Sequence, residues 1–548
     1  MWNNNKSLDG NVGMRFIASG LSSRSRHGGR DSSRPYKSRP WRGGRDESRP
    51  YMFQFRSGGR DSSRPYKSLF IWGGDHVARP YLFQFIVIIG ALLVGGVLGY
   101  INPVYGAACA GGLFMVIVCL LRQDELAMAI LISVHLYVDL YIGLHIVAPL
   151  MAIILLLFYY ISRSSEHPWI GPKALWLWAL FLLLTISPAI KGAWVLYDVA
   201  TYYPSDILGA LLMFWIGILL ARNGGSLRRL FQWLGAMGAL FALHTIIQAT
   251  LGITILGTSH YDAVLLQTAN FQIWNTNAHR YGSFFIDPNW NGTFLGMLFF
   301  LPFGLLVSSR SLLGKAVYLC EMCLIVLAIM FTYSIGAWVS LSIGVATLLV
   351  FVGRMHYRVL LPILCVIAVG LLILFFPAQI ASLLVHTQEP DEVPLRVGAW
   401  LTALRIISVY PWTGIGLGYQ SYLVLSDPFR VPQEYFPLAH PHNSYLEWGA
   451  MAGLPVLAIF MSLLVYSLWL SMRNWLRSDY EYRPVIGAGI AAIITLSVNS
   501  WTINAWTNPV LAMLGWLILG ALASPLLTKW FAQRHPSKAN KNLVGKER

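Results

Sequence analysis

The sequence predicts an all-α integral membrane protein. Of its 548 residues, 56% are hydrophobic and 12% are charged, and the mean hydropathy is +0.56. Soluble domains usually carry about 25% charged residues, so a soluble enzyme is excluded. From residue 82 onward, apolar runs of roughly 17 to 25 residues follow one another, and each is long enough to cross a hydrocarbon core of about 30 Å as a helix.

These runs predict about fourteen transmembrane helices. Twelve is the alternative count, because the third and fourth runs merge around His135, Asp139 and His145. The predicted spans are 82–101, 103–121, 126–143, 145–162, 173–190, 206–221, 230–250, 292–308, 316–333, 336–353, 359–383, 447–471, 485–503 and 508–524. Either count is even, so both termini lie on the same side of the membrane.

Basic residues in the connections predict the orientation. If the N-terminus is cytoplasmic, the inner connections carry thirteen Lys and Arg residues and the outer segments carry five, although the outer segments include the two longest loops, 251–291 and 384–446. The positive-inside rule therefore places both termini in the cytoplasm. Any chemistry at the membrane surface is then expected in the two long outer loops.

The first 80 residues form a basic arm. Gly-Gly recurs every fifteen residues from 28 to 73, Arg-Pro-Tyr recurs at the same interval from 34 to 79, and sixteen basic against six acidic residues give a net charge of +10. So little apolar surface predicts disorder. A tandem repeat in the coding DNA or an over-extended start is favoured over an RNA-binding or lipid-binding function, and no nucleic-acid partner is expected. The predicted domains are this disordered arm at 1–80, a polytopic membrane domain at 81–525 and a basic cytoplasmic tail at 526–548.

The first long loop ends in a polar run directly before a span. Arg280 is the loop's only basic residue, and Asp287-Pro288-Asn289 has the composition of a turn that returns the chain into the membrane. A ligand-binding arginine and an arginine that only lies at the membrane surface are both compatible with this spacing.

The second long loop begins with a helical pattern at 394–408 that is too short and too polar to cross the membrane, which predicts an interfacial helix. At 100° per residue, Arg396 shares an apolar face with Trp400, Ala403 and Ile407, whereas Arg405 lies opposite, between Thr402 and Ser408. A cation on an apolar face needs an anionic partner. A ligand anion is favoured over the structural carboxylates Asp391, Glu392 and Glu434.

Polar residues are densest at the end of the second loop, in the run His440-Pro441-His442-Asn443-Ser444-Tyr445-Leu446-Glu447. Two histidines at i and i+2 cannot ligate a metal from one helical face, so no metal site is predicted. An imidazole titrates near neutral pH, and one histidine is therefore interpreted as a proton acceptor. Upstream, the glycines at 414, 416 and 418 predict a tight turn with close backbone approach, without the flanking strand and helix of a nucleotide-binding fold.

Together these motifs resemble the O-antigen ligase and O-antigen polymerase family of bacterial envelope glycosyltransferases. The resemblance covers about residues 200–525 and rests on Arg280-x-Gly282 with Asp287-Pro288-Asn289, Arg396-x-x-x-Trp400, Pro411-x-x-Gly414-x-Gly416-x-Gly418, and His440-x-His442-Asn443-x-Tyr445-Leu446-Glu447. It implies an enzyme on the outer face of the cytoplasmic (inner) membrane. Such an enzyme moves a glycan from a polyprenyl diphosphate, such as undecaprenyl diphosphate, to a hydroxyl of a lipid, glycan or protein acceptor, without a metal or other cofactor.

The resemblance also implies roles for individual residues. Arg280 and Arg396 would hold the donor diphosphate through bidentate hydrogen bonds, and His442 would be the catalytic general base. Supporting residues would orient this base, bind sugar or shape the first loop, and they are His440, Asn443, Tyr445, Glu447, Asp287 and Asn289.

Three alternatives stay open at this point. A polymerase that adds repeat units uses the same donor as a ligase, and the motifs do not separate the two. A lipid-linked glycan flippase or other transporter would use His135 and Asp139 as a proton relay, but the chain shows no matched pair of broken spans. A scaffold that binds membrane lipids through basic tails would have no use for Arg396 on an apolar face.

Overall fold

The computed structural model describes residues 124–142, 174–192, 203–251, 279–285, 287–351, 363, 366–367, 369–386, 392–434 and 436–534. All of them belong to the unit Gly73–Arg548, and no β-strand occurs among them. The predicted all-α class is therefore confirmed. The basic arm at 1–80, the predicted spans 82–101, 103–121 and 145–162, and the tail from residue 535 lie outside the described residues.

The described helices follow the apolar runs of the sequence. They are α1 (Asp124–Ile142), α2 (Leu175–Gly192), α3 (Gly209–Leu220), α4 (Gly224–Leu251), α5 (Pro288–Leu298), α6 (Phe300–Ser308), α7 (Leu312–Thr332), α8 (Ile335–Phe351), α9 (Pro377–His386), α10 (Glu392–Val409), α11 (Tyr419–Leu425), α12 (Ser444–Ala452), α13 (Leu454–Arg477), α14 (Arg483–Asn499), α15 (Pro509–Leu522) and α16 (Pro525–Arg534). A π-helical turn, Tyr203–Leu208, precedes α3.

Helix starts are set by local capping residues. Asp287, Ser311, Asn443 and Asn508 each accept a backbone N–H from the following turn, which satisfies donors that have no partner inside the helix. A proline follows Asp287 and Asn508 at the first helical position, where its missing N–H costs no hydrogen bond. These signals fix where α5, α7, α12 and α15 begin.

Two predicted spans are interrupted in the structure. The predicted span 447–471 is divided into α12 and α13 at Gly453, whose φ of 91° is incompatible with a continuous helix. The predicted span 359–383 is bent by 104° between the helix Val369–Phe375 and α9. The bend lies at Pro377, which has no N–H for the helical hydrogen-bond ladder.

Length and composition identify five described helical segments that could cross a membrane, and the bent pair makes a sixth. They are Gly224–Leu251, Pro288–Ser308, Leu312–Thr332, Leu454–Arg477 and Pro509–Arg534. Shorter apolar helices accompany them in α2, α3, α8 and α14. The integral membrane class is thereby confirmed, and the total of 12 to 14 spans stays a prediction because part of it falls on residues that are not described.

Helices α3 and α15 approach each other backbone to backbone. A Cβ atom on Gly217 would lie 2.2 Å from the carbonyl oxygen of Leu517, and one on Gly520 would lie 2.1 Å from that of Phe214. Small residues at such crossings let membrane helices gain packing contacts without a hydrophobic driving force between them. This contact helps to form the bundle that supports the loops.

Contacts between helix termini define two opposite ends of the bundle. One end holds ion pairs between residues of different helices: Arg222–Asp124 at 2.8 Å, Arg229–Glu125 at 2.9 Å and Arg534–Asp479 at 3.0 Å. Helix α4 extends from this end to the other, where the Gln248 side chain accepts the N–H of Ser283 at 3.1 Å. The first end carries basic residues that the sequence predicts to be cytoplasmic, and the second end is the predicted outer face.

The close crossing of α3 and α15 gives a stability prediction. Gly217→Ala should lower the thermal midpoint of the detergent-solubilised protein, because overpacking costs about 1–3 kcal/mol. Gly370→Ala is the matched control, since no atom lies within 4 Å of the position of its Cβ. A midpoint for Gly217→Ala equal to that of Gly370→Ala would contradict the packing described here.

Candidate active site

Five segments of the chain meet at the second end of the bundle. They are the start of α5, the end of α7, helix α10, the segment 440–443 before α12, and the segment 500–508 between α14 and α15. Side-chain hydrogen bonds join them: Arg280 donates to the carbonyl of Thr332, Trp290 in the first turn of α5 donates to Asn504, and Arg396 donates to the carbonyl of Thr502. The two predicted diphosphate-binding arginines therefore belong to one region of the structure.

The first long loop returns to the bundle through the capped start of α5. The Asp287 carboxylate accepts the backbone N–H of Asn289 at 2.7 Å. The Asn289 side-chain oxygen accepts Nη2 of Arg280 at 2.6 Å, and Nε of Arg280 donates to the Thr332 carbonyl at 3.1 Å. Arg280 is buried. The predicted turn is thus a helix start that also fixes the position of Arg280.

The charges of Arg280 and Arg396 both affect the pKa of the Asp287 carboxyl group. Burial raises the pKa of Asp287 above its ordinary value, and the hydrogen bond from Asn289 and the positive charges of Arg280 and Arg396 offset part of this rise. Arg280 and Arg396 come from different loops, and both favour the charged form of this carboxyl group.

The burial of residues along α10 confirms most of the helix face that the sequence predicts to be buried. Ala403 is fully buried, Arg396 is partly buried with Nη1 3.3 Å from the Thr502 carbonyl, and Arg405 is exposed on the other side. Thr402 lies next to Arg405 in the helical period, yet the two residues differ in exposure. Thr402 is fully buried, because its hydroxyl donates to the carboxylate of Glu434 at 2.5 Å.

Glu434 holds the second long loop against α10. Besides Thr402, it binds Nη1 of Arg430, and Arg430 also contacts Asp427 at 3.1 Å and the carbonyl of Leu423 at 3.0 Å. Glu434 was one of the carboxylates considered as a structural partner of Arg396. Its contacts with Arg430 and Thr402 instead fasten the polar loop over the buried face of the helix.

The glycine-rich turn after α10 packs directly on backbone. Gly414 and Gly416 have φ values of 59° and 133°, and a Cβ on Gly414 would lie 2.3 Å from the backbone of Met451. The Leu417 N–H donates to the carbonyl of Pro188 in α2 at 3.0 Å. The close approach predicted from the alternating glycines is confirmed, and it joins the end of α12 to the end of α2.

His440 and His442 form a fixed pair. The backbone N–H of His442 donates to Nδ1 of His440 at 3.2 Å, and the ring centroids lie 4.3 Å apart. His442 has a φ of 50°, a left-handed conformation that few non-glycine residues adopt. Because Nδ1 of His440 accepts a hydrogen bond, its neutral ring carries the proton on Nε2.

The surroundings keep both imidazoles neutral. Burial lowers the pKa of His440 to about 4. Burial, the neighbouring His440 and the charge of Arg396 lower the pKa of His442 well below its ordinary value of 6.5. A neutral imidazole can accept a proton. The charge of Arg396 thus affects the pKa of both Asp287 and His442, the predicted proton acceptor.

The residues after His442 organise the start of α12. Asn443 accepts the N–H groups of Tyr445 and Leu446 at 3.0 and 3.1 Å. The Tyr445 hydroxyl donates to the carbonyl of Ser497 at 2.7 Å, and Glu447 is buried in the first turn. The structure thereby gives Asn443 a role as a helix cap adjacent to His442. The sugar-binding and base-orienting roles of these residues stay predictions.

The segment 500–508 is the part of the site that the sequence reasoning missed. Its Thr502 carbonyl accepts Arg396, and the buried Asn504 contacts both Trp290 and Tyr419. Hydropathy placed this segment at the edge of a predicted span. The available signal was a group of amide and hydroxyl residues between two apolar runs: Asn499, Thr502, Asn504, Thr507 and Asn508.

The residues of the transporter alternative lie elsewhere in the sequence. His135 and Asp139 fall within α1, and their side chains are outside the described part of the chain.

Within the described ranges, no group of three His, Cys, Asp or Glu residues has an arrangement that could hold a metal ion.

Comparison with known families supports the motif analysis. A family model described as O-Antigen ligase matches residues 322–461, from within α7 to within α13. This match contains Arg396, His440 and His442, and it confirms the resemblance that the motifs indicated. A search of curated proteins gave no match. Arg280 and the segment 500–508 lie outside the matched residues, although they contact the same site.

The capping role of Asn443 can be tested separately from catalysis. Asn443→Ala should lower the free energy of unfolding by about 0.5–2 kcal/mol, because two N–H groups of α12 lose their acceptor. Asn443→Asp keeps the acceptor and should stay close to wild type. The thermal midpoint in detergent measures the difference, and equal losses in both variants would argue against the cap.

Proposed function

Because the chain carries an O-antigen ligase domain, we propose that it is a glycosyltransferase that moves a glycan from a polyprenyl diphosphate carrier to an acceptor hydroxyl. The observation that carries this proposal is that one short segment binds both Arg396 and the chain next to His442: the Thr502 carbonyl accepts Arg396 at 3.3 Å, and the Ser500 carbonyl accepts the N–H of Ser444 at 2.9 Å. The charge of Arg396 also lowers the pKa of His442, in agreement with this arrangement.

Arg280 and Arg396 bind the donor diphosphate. Guanidinium groups bind phosphate oxygens through paired, charge-assisted hydrogen bonds. Arg280 is held in advance by Asn289 and Thr332, and Arg396 is held by Thr502, so little reorganisation is needed when negative charge develops on the leaving group. The positive charge comes from these side chains, and the proposed reaction is independent of metal ions.

The transfer is a single in-line displacement at the anomeric carbon. A neutral nitrogen of His442 takes the proton of the acceptor hydroxyl while its oxygen forms a bond to that carbon. The bond from the anomeric carbon to the phosphate oxygen breaks, and its electron pair leaves with the diphosphate. One displacement inverts the configuration of the sugar.

The acceptor determines whether the enzyme is a ligase or a polymerase. A ligase passes the glycan to a lipid or protein, and a polymerase passes it to the next repeat unit on another carrier. The donor-binding arginines and the base serve either reaction, and we favour the ligase. The length of the product distinguishes the two.

We further propose that the site faces the outside of the bacterial cytoplasmic membrane, with both termini inside. The ion pairs of Arg222, Arg229 and Arg534 lie at the end of the bundle opposite the site. Basic residues favour the cytoplasmic side, which supports this orientation.

The proposal is tested by glycan transfer from a polyprenyl diphosphate oligosaccharide with the purified protein in lipid and EDTA present throughout. His442→Ala should reduce kcat by about 10²–10⁴-fold, because the base is lost. Arg280→Gln and Arg396→Gln should each reduce kcat/KM by about 10²–10³-fold, because a donor to the leaving diphosphate is lost.

Arg405→Gln is the control for charge on the same helix, since Arg405 is exposed and faces away from the site. It should transfer glycan at the wild-type rate. Full activity of His442→Ala would show that the base is assigned wrongly. Failure of the wild-type protein both to transfer glycan and to bind the donor would overturn the proposed function.

The lowered pKa of His442 predicts the acid limit of activity. The base must be neutral to accept a proton, and a lowered pKa keeps it neutral at lower pH, so kcat/KM should begin to fall only well below pH 6.5. A bound diphosphate adds negative charge, so the acid limb of kcat should lie at higher pH than that of kcat/KM. An acid limb of kcat/KM at or above pH 6.5 would contradict His442 as the base in this environment.

A further inference from the structure

Asn504 lies at the junction of the two long loops. It is fully buried, its side-chain oxygen accepts Nε1–H of Trp290 at 2.8 Å, and its Nδ2 donates to the hydroxyl of Tyr419. An indole N–H is a donor only, so it fixes which end of the amide carries the oxygen. The amide of Asn504 therefore has one orientation and uses both of its polar ends.

Asn504 is linked to the first long loop through Trp290. Trp290 is the residue after Asn289 in the first turn of α5, and Asn289 holds Arg280 at 2.6 Å. The bond from Trp290 to Asn504 thus ties the helix turn that positions Arg280 to the segment 500–508. That segment also provides the Thr502 carbonyl for Arg396.

Asn504 is linked to the pair His440 and His442 through Tyr419. The Tyr419 ring packs against the His440 ring with centroids 5.3 Å apart, and its hydroxyl lies 3.4 Å from the Thr507 carbonyl. His440 in turn accepts the backbone N–H of His442, which has left-handed backbone geometry. A shift of Tyr419 therefore displaces the ring on which the conformation of His442 depends.

We propose that Asn504 is a positioning residue that sets the spacing between Arg280 and His442 through Trp290 and Tyr419. This inference rests on the proposed function for its consequence in catalysis. Transfer requires the leaving diphosphate and the attacking hydroxyl to be aligned, and a misplacement of about 1 Å can cost about 10²-fold in rate. In this proposal Asn504 acts through Trp290 and Tyr419, to which it is hydrogen-bonded.

The test compares substitutions along the chain of contacts. Asn504→Leu keeps a similar volume and removes both hydrogen bonds, so kcat should fall about 10–100-fold while KM for the donor changes little. Tyr419→Phe keeps the ring and removes the hydroxyl, so a smaller loss is expected. The double variant should be no slower than Asn504→Leu, because residues of one network are not additive.

Asn474→Leu is the matched control. Asn474 is also fully buried, but it lies in α13 near the end of the bundle opposite the site, where its Nδ2 donates to the carbonyl of Leu522 at 2.8 Å. The same substitution there should lower stability, because buried groups lose their hydrogen-bond partner, and it should keep the wild-type kcat per folded molecule. An equal kcat loss in Asn474→Leu and Asn504→Leu would show that Asn504 acts only through general stability, which would overturn the inference.

A second readout does not depend on activity. The rate at which diethyl pyrocarbonate modifies His440 and His442, followed by mass spectrometry of the full-length protein in lipid, should rise in Asn504→Leu and stay at the wild-type value in Asn474→Leu. If the wild type transfers no glycan but this difference is seen, the proposed function fails and the positioning of the histidines stands. If neither kcat nor the modification rate changes in Asn504→Leu, the positioning inference is wrong.

Discussion

Both arginines of this site are held by hydrogen bonds to backbone carbonyl oxygens that lie at the end of a helix or just after it. Thr332 is the last residue of α7, so its carbonyl has no donor inside the helix and lies at the negative end of the helix dipole. Arg280 donates to it, and Arg396 donates to the carbonyl of Thr502, just after α14. A buried cation without such partners would be costly. The charges of the two arginines act on Asp287, which caps the start of α5, and the charge of Arg396 also acts on His442.

Rules that use only residues close together in sequence predicted those parts of the site that such residues determine. The helical period placed Arg396 and Ala403 on the inner face of α10 and Arg405 on the outer face, because burial of a helix follows its 3.6-residue repeat. The period also puts Thr402 next to Arg405, but Thr402 is fully buried. A hydroxyl is buried when an acceptor such as Glu434 is supplied by a distant turn, and the helix period contains no information about that turn.

Hydropathy could not predict where apolar segments stop being helical. The segment 500–508 contains Trp501, Ile503 and Trp506 among its polar residues. It leaves the helix because Ser500, Thr502 and Asn504 find partners on α12, α10 and α11. The break at Gly453 likewise depends on the N–H of Leu454 reaching the carbonyl of Pro411 at 2.7 Å. Such bonds are made between parts of the chain that are far apart in sequence. They therefore appear only in the folded molecule.

The glycine-rich turn makes the family-matched segment inseparable from the rest of the chain. Its backbone binds Pro188, and Lys191 of the same α2 donates to the carbonyl of Gly414 at 3.1 Å, so the matched segment depends on a helix far upstream. Arg280 and Asn504 enter the site from either side of that segment. A chimaera that exchanged only the matched segment between two relatives would disrupt partners on both sides at once. An active recombinant must therefore take Arg280, the matched segment and Asn504 from the same parent protein. The residues that match the family model are only part of the structural unit that forms the site.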